Sequence, residues 1–219
     1  MRVFGFSSAT KIISIGLIDE EKILVETTMA DMRAERVLFY AEEAGIKPDQ
    51  IEAVAVAIGP GSYSGLRGGA AAAKSLSQSL NIPLIGVSTL EAIAYNLIDI
   101  EGTMAVILDA RSKEYNFALF GAHQGQLKRL TNDLVLDYDQ IVKQFTSISG
   151  QIHLVGNCVD FKKQLQGDNY LFADENHAHP YGINVAKLGL LKIKAGQTDD
   201  PLNLSPNYSH KPKFKEYMN

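Results

Sequence analysis

The chain has 219 residues, of which 46% are hydrophobic, with a formal net charge of −4 and a single cysteine. This length suits one large domain or two small ones with ordinary cores. One cysteine excludes an internal disulfide, and no window approaches the roughly 18 uninterrupted apolar residues of a membrane span. The acidic charge excludes a global attraction to nucleic acid or anionic lipid. Met1 and Arg2 lead directly into a strand pattern without a signal-peptide core, so we expect a cytoplasmic protein.

The first half of the chain predicts a three-stranded meander followed by alternating helices and strands. The apolar alternation and turn residues place the strands of the meander at 2–8, 12–18 and 23–29. The following elements are a helix at 33–44, a strand at 53–58, a helix at 65–80 and a strand at 83–87. Ser88 then opens another helix, and Glu91 three positions on completes a capping box.

A similar order returns in the second half, where Ser7 aligns with Asp109. Strands are predicted at 104–108, 115–120, 126–130 and 152–155, and helices near 138–145, 161–165 and 183–194. This repetition predicts an α/β protein with two similar lobes side by side. The lobes are 1–100 and 101–219, with a boundary near Asp99 to Gly102, and the second carries the final helix and tail.

A glycine-rich loop joins the strand at 53–58 to the next helix. Its notable residues are Gly59, Gly61, Ser62, Gly65 and Arg67. One interpretation is an anion site, because free backbone N–H groups and the helix dipole favour phosphate or carboxylate there. The other is a tight turn that only needs glycines. Arg67 likewise either neutralises an anion or pairs with a carboxylate of the fold, and we favour the pairing.

Two catalytic motifs are excluded at this loop. It is not a Walker A loop, because no Lys-Ser/Thr pair follows it. It is not a nucleophile elbow either, because Tyr63 stands at the centre of Gly61 to Gly65, where a hydrolase needs serine.

Several segments together resemble the TsaB (YeaZ) family. They are the opening meander, Arg33 to Arg36, the run 57–67 (AIGPGSYSGLR), 83–91 (PLIGVSTLE), the turn Asp109-Ala110-Arg111 and the closing 204–208 (LSPNY). The resemblance is densest over residues 1–120. It implies an actin-like ATPase, sugar-kinase-like (ASKHA, ribonuclease-H-like) fold with two lobes.

The resemblance also implies a function. Family members support the paralogous TsaD-type enzyme in forming N6-threonylcarbamoyladenosine at position 37 of tRNAs that read ANN codons. The TsaD-type partner holds the metal and transfers the threonylcarbamoyl group, and a small TsaE-type ATPase joins the complex. The TsaB-type chain is then a non-catalytic subunit that needs no cofactor and meets tRNA only through the complex. A different alternative is a free-standing phosphotransferase or ATPase that uses the glycine-rich loop.

The residues of this chain favour the non-catalytic role. Actin-like kinases place an aspartate at the end of the first strand, where this chain has Ser7, and a hydroxyl does not supply a carboxylate's charge. Metal catalysis of the partner's type needs two imidazoles one helical turn apart with an acid nearby, and the sequence has none. The close pair His177 and His179 is better explained as a solvated loop, with adventitious zinc as the alternative. We therefore predict no catalytic residue and no metal site.

Three other features have ordinary explanations. Cys158 lacks a basic neighbour in the chain and is predicted to be an inert core thiol. Asp109 with Arg111 is either a remnant phosphate loop or a turn with an Asx hydrogen bond. The basic tail 211–215 either touches tRNA phosphates in a complex or is a solvated end, and we favour the second.

The predicted partner surface is made of two helices. Val37 to Tyr40 are four consecutive bulky apolar residues, which span about 300° of a helix, more than one core-facing stripe can hide. The helix from Gly65 carries small residues at 68–73, which allow another backbone to approach, although packing inside the fold would also explain them. A homodimer is expected to use the same surface when the TsaD-type partner is absent. The predicted interface residues are Arg33, Arg36, Val37, Tyr40, Ala41, Gly69, Ala70 and Ala73.

Overall fold

The computed structural model describes residues 1–30 and 33–209, which form two mixed sheets with helices packed on them. The strands are β1 (Arg2–Ser7), β2 (Ile13–Asp19), β3 (Lys22–Met29), β4 (Ala53–Gly59), β5 (Leu84–Ser88), β6 (Gly102–Arg111), β7 (Glu114–His123), β8 (Gln126–Arg129), β9 (Leu134–Asp137), β10 (Ile152–Gly156) and β11 (Tyr170–Phe172). The α-helices are α1 (Val37–Glu43), α2 (Tyr63–Leu80), α3 (Thr89–Ala94), α4 (Tyr138–Phe145), α5 (Val159–Gln164) and α6 (Gly182–Lys194). Short 3-10 helices lie at Ala34–Arg36, Pro48–Gln50, Tyr95–Leu97 and Glu175–Ala178.

The first sheet has the strand order β3-β2-β1-β4-β5. Strand β1 is antiparallel to β2 and parallel to β4, and β4 is parallel to β5. Every residue of β1 after Arg2 is buried because helices cover both faces of the sheet. On one face glycines allow close approach: a Cβ on Gly5 would lie 2.3 Å from the backbone nitrogen of Ala186 in α6. Helix α6 therefore lies almost directly on the strand backbones.

The second sheet repeats this plan. Its order is β11-β10-β6-β7-β8, and β9 also pairs with β7. The long hairpin of β6 and β7 is antiparallel, and β10 is parallel to β6. Both predicted meanders are present, and helix α4 has the predicted bounds. The short strands β9 and β11 escaped the prediction because neither alternates clearly between apolar and polar residues.

The two halves of the chain exchange helices. Leu90, Ile93 and Leu97, which follow β5, pack in one cluster with Met104 and Phe120 of the second sheet. In return, α6 comes late in the chain and packs on β1, β2 and β4 of the first sheet. The prediction that the final helix belongs with residues 101–219 is corrected accordingly. The cause is the small-residue face of the first sheet, on which Val185, Ala186 and Leu190 of this late helix pack.

Among the described residues, no helix is long and apolar enough to cross a membrane.

Candidate functional site

The glycine-rich loop, residues 59–65, lies where β4 ends and α2 begins. The side-chain oxygen of Ser62 caps α2 by accepting a hydrogen bond from the Gly65 N–H at 3.3 Å. The Gly59–Pro60 peptide is cis, and Gly59 has a φ of +119°, which side chains rarely adopt.

Backbone carbonyls of the chain itself pack against three glycines of this loop. A Cβ built on Gly59 would lie 2.2 Å from the carbonyl oxygen of Asn207. The same atom on Gly61 would lie 2.4 Å from the Ala9 oxygen, and on Gly65 it would lie 2.0 Å from the Ser8 oxygen. Each glycine is required because no side-chain atom fits in that space.

Loop N–H groups are also engaged within the chain. The Ser62 N–H donates to the Ala9 carbonyl at 2.8 Å, and the Leu66 N–H donates to the Ser62 carbonyl at 2.8 Å. The hydroxyl of Ser8 donates to the Gly65 carbonyl at 2.8 Å. The bonds made by Ala9 and Ser8 tie the loop to the β1–β2 turn. Of the two interpretations of this loop, the geometry favours the structural one.

The favoured pairing of Arg67 with a carboxylate is wrong within the described part of the chain. The guanidinium instead donates to the Tyr63 hydroxyl at 3.1 Å and lies over the ring, 5.4 Å from its centroid. Tyr63 in turn stacks on Tyr208, with 4.9 Å between the ring centroids. The result is an exposed cation held by aromatic rings at the start of α2.

Ser7 and Asp109, which align in the two halves of the sequence, are both bonded to backbone N–H groups. Ser7 is fully buried, and its hydroxyl accepts from the Ala9 N–H at 3.3 Å. The Asp109 carboxylate accepts from the Arg111 N–H at 3.0 Å, which is the Asx bond of the second interpretation. Arg111, Ser112 and Lys113 all have positive φ values, so the β6–β7 turn is strongly bent.

The remaining candidates are structural. His177 and His179 are half-buried, and the amide of Asn96 donates to both of their carbonyls, at 2.7 and 2.8 Å. No three His, Cys, Asp or Glu residues are grouped to hold a metal ion within residues 1–30 and 33–209. Cys158 is buried, and this burial raises the pKa of its thiol to about 12. The basic tail 211–215 lies outside the described residues.

Of the two hydrogen bonds of the predicted capping box at α3, one is present. The Ser88 hydroxyl accepts from the Glu91 N–H at 3.4 Å, as a capping box requires. The Glu91 carboxylate instead lies 3.7 Å from the Lys192 ammonium of α6. This pair links the two exchanged helices.

Most of the predicted interface residues lie inside the chain. The five that are buried in the fold are Val37, Ala41, Gly69, Ala70 and Ala73. The small residues of α2 serve packing within the chain: a Cβ on Gly69 would lie 2.4 Å from the Ser8 hydroxyl, and one on Gly68 2.7 Å from the Ala34 Cβ. In this conformation these side chains do not face a partner.

The other three predicted residues, Arg33, Arg36 and Tyr40, are not buried, and the last two lie beside an exposed apolar patch on α1. Arg36 lies over the rings of Phe39 and Tyr40, at 5.1 and 5.4 Å from their centroids. Leu38 and Phe39 are 37% and 47% exposed, although both are large and apolar. We call Arg33, Arg36, Leu38, Phe39 and Tyr40 the α1 face. The sequence predicted that the apolar residues 37–40 are too many for one buried face of the helix. Val37 and Ala41 form the buried face, so the opposite side of α1 is exposed.

A polar cluster between the sheets was missed by sequence reasoning. Asp133, after β8, accepts from Arg129 at 2.5 Å, from the Ser88 hydroxyl at 3.4 Å and from the Asn207 amide at 3.3 Å. Ser88, Asp133 and Asn207 are far apart in the sequence, and no spacing rule joins these three. The only signal was the closing segment 204–208, which the sequence offered as a family marker.

Comparisons with known proteins agree with this architecture. The family model described as "TsaD: tRNA N6-adenosine threonylcarbamoyltransferase" matches residues 35–180, well over half of the chain. The tRNA threonylcarbamoyladenosine biosynthesis protein TsaB of Bacillus subtilis is 28% identical over 153 residues, which cover 66% of this chain and 67% of that protein.

Solved structures show the fold. The crystal structure of a Pseudomonas aeruginosa protein with similarity to peptidase YEAZ has a TM-score of 0.81 at 20% identity, covering 95% of this chain and 99% of the other. A ROK family protein from Streptococcus pneumoniae, solved with sucrose, has a TM-score of 0.52 at 9% identity and covers 89% of this chain and 100% of its own. The fold is the two-lobed, actin-like and sugar-kinase-like one. The chain belongs to the family described by the TsaD model, and its homologues include TsaB (YeaZ) proteins.

Proposed function

We propose that this chain is a non-catalytic subunit that supports a TsaD-type enzyme in forming N6-threonylcarbamoyladenosine at position 37 of tRNAs reading ANN codons. The observation that carries the proposal is the filling of the glycine-rich loop. Carbonyls of Ser8, Ala9 and Asn207 lie against its glycines in a member of a tRNA-modifying family. A loop occupied by its own chain supports a structural role.

The first-strand position supports the same role. Ser7 is buried, and its hydroxyl is bonded to the turn that follows. Orienting a metal-bound water at that position takes a carboxylate, because only the charged group attracts the metal ion strongly. ATP and metal ions therefore belong to the partner proteins in this proposal, and the TsaE-type chain supplies the ATPase.

The partner surface in this proposal is the α1 face together with the outer side of α2. Phe39 offers an exposed aromatic ring, and Arg36 stacks on it as a cation. Aromatic and arginine side chains dominate the binding energy of protein interfaces. Ala71 on α2 is exposed and small, so a partner backbone can come close there. A homodimer of this chain uses the same surface in the absence of the TsaD-type partner.

Contact with tRNA is indirect in this proposal. The chain carries a net charge of −4, and phosphate binding by a protein depends on clustered cations. The TsaD-type partner provides the tRNA site, and this chain reaches the substrate only as part of the complex.

A reconstitution with purified components tests the function. The chain, a TsaD-type protein and a TsaE-type ATPase are combined with unmodified tRNA, ATP and the threonylcarbamoyl-adenylate donor, and modified adenosine is measured by mass spectrometry. We expect full activity from the complete mixture, and none from this chain alone or from the mixture that lacks it. In a further mixture the chain is replaced by its Phe39→Asp variant, whose association with the TsaD-type protein we expect to be weakened.

An ATP titration of the isolated chain distinguishes the alternative enzyme. A subunit without its own nucleotide chemistry shows no turnover. Micromolar ATP affinity with turnover that survives repurification, or full activity of the mixture without this chain, contradicts the proposal.

A further inference from the structure

The last described segment, residues 199–209, first runs along the edge of the first sheet. The Asp199 N–H donates to the Leu84 carbonyl of β5 at 2.8 Å, and the Gly86 N–H donates to the Asp199 carboxylate at 2.7 Å. The Lys192 ammonium donates to the Gly86 carbonyl at 3.1 Å. The polar groups of edge strand β5 are thereby bonded within the chain, which protects the edge from pairing with other strands.

The segment then crosses the end of β4. The Asn207 N–H donates to the Ile58 carbonyl at 2.7 Å, and the Asn207 carbonyl lies against Gly59. Leu204 is buried, and its Cδ1 would lie 3.0 Å from a Cβ built on Gly86. The ring of Tyr208 stacks on Tyr63 of α2. This stretch therefore sits over the carboxyl ends of parallel strands β4 and β5.

Its final residues reach the second sheet. The side-chain amide of Asn207 donates to Asp133 at 3.3 Å, and the hydroxyl of Ser209 is bonded to the side-chain oxygen of Asn116 in β7. Asn116 is a buried polar residue, 3% exposed, so this bond satisfies an interior group. Asp133 also binds Ser88 at the end of β5.

We propose that residues 199–209 form a strap that closes the crevice between the two sheets and fixes their relative orientation. One stretch of chain is bonded to both sheets. The Asn207 N–H is bonded to β4, the Asn207 amide to Asp133 between β8 and β9, and the Ser209 hydroxyl to Asn116 in β7. In open α/β sheets, ligands bind in the crevice at the carboxyl ends of the strands. The strap lies at the carboxyl end of β4, so a segment of the chain itself fills the position where a ligand would bind. This inference is independent of the proposed role in tRNA modification.

Hydrogen–deuterium exchange of the full chain tests the strap, with Asn207→Asp as the variant. The new carboxylate faces Asp133, so the repulsion breaks the link to the second sheet and loosens the strap where it lies on β4. We expect exchange to rise about tenfold in three places, 199–209, 130–134 and 57–62, as expected for the loss of a hydrogen bond to a charged group. The control Asn169→Asp makes the same charge change at an exposed position of the second half and leaves all three unchanged.

A neutral variant sharpens the test. Asn207→Ala removes the amide without adding a charge and leaves the Arg129–Asp133 ion pair in place, and we expect a smaller rise in exchange at the same places. If exchange rises only within 199–209 in both variants, the segment does not join the sheets and the strap is refuted. Should Asn207→Asp fail to fold, Ser209→Ala removes only the bond to Asn116. It is expected to raise exchange around Asn116 in β7 as well as at the strap, and unchanged exchange around Asn116 overturns the inference.

Discussion

At the scale of single residues, the glycines of the 59–65 loop are required because backbone atoms lie where a side chain would otherwise be. The carbonyls that they face belong to residues near the start and near the end of the described chain, Ala9 and Asn207. The sequence shows that glycines are needed in this loop, but it does not show whether the space belongs to a ligand or to the chain itself. Only the tertiary arrangement decides between these.

The change Gly61→Ala is expected to lower the free energy of unfolding by about 1–3 kcal/mol. The added Cβ would lie 2.4 Å from the Ala9 oxygen, a backbone atom that has no rotamer with which to move away. Thermal unfolding followed by circular dichroism should show a Tm lowered by several degrees. The matched control is Gly121→Ala in β7, where the nearest atom would lie 3.8 Å away. Equal melting temperatures for both variants would contradict this account of the loop.

Cys158 is expected to react with a thiol reagent only after unfolding. Burial raises the pKa of its thiol to about 12, so at pH 8 only roughly one molecule in ten thousand carries the reactive thiolate. Labelling with a chromogenic disulfide at pH 8 should be slow in the native protein and should reach one thiol per chain in guanidinium. Rapid native labelling would show that the thiol is accessible and that its assignment as an inert core group is wrong.

At the scale of elements, helix α1 shows what periodicity predicts and what it does not. Four consecutive bulky residues correctly predicted that some apolar side chains remain uncovered by this chain. Which ones remain depends on the angle at which α1 meets α2, and the sequence does not give that angle. Val37 is fully buried, whereas Phe39, two positions on, is 47% exposed.

The change Phe39→Asp is expected to weaken association with a TsaD-type partner by about 3 kcal/mol, more than a hundredfold in Kd. A charge in a closing interface loses its hydration without gaining a counter-charge, whereas in the free chain it faces water. Ala71→Glu on α2 should act in the same direction. Isothermal titration calorimetry measures the affinity, and circular dichroism confirms the fold.

The matched control for the interface is Val159→Asp on α5. Val159 is 60% exposed, so this variant makes the same apolar-to-acid change on a helix of the second half. It should bind the partner like the unchanged chain. If Phe39→Asp and Ala71→Glu also bind normally, the α1 face and α2 are not the interface.

At the scale of the whole molecule, much of the fold follows from the sequence, because both meanders and most helices appear where alternation and capping residues predicted them. The placement of helices on sheets does not follow, since it depends on which apolar faces fit each other across the whole chain. Gly5, Gly16 and Gly182 let α6 lie on β1 and β2, and no local pattern links these positions.

Residues 1–100 by themselves are expected not to fold. Without α6 one face of the first sheet, including Val3 and Ala55, lies open to water, and α3 lacks the sheet on which it packs. Nuclear magnetic resonance of this fragment should show poor dispersion, and co-expression with residues 101–219 should restore a native spectrum. The control fragment, residues 1–100 joined through a flexible linker to 180–198, carries α6 and should gain structure. A well-dispersed spectrum from 1–100 alone would contradict the dependence on α6.

The exchange of helices has a consequence for synthesis on the ribosome. The first sheet emerges early, but the helix that covers one of its faces is translated only after the strands of the described residues. During that interval an apolar surface of small residues and parallel strands is exposed to solvent, a situation in which nascent chains aggregate or recruit chaperones. Final compaction of the first sheet is therefore tied to the late translation of α6.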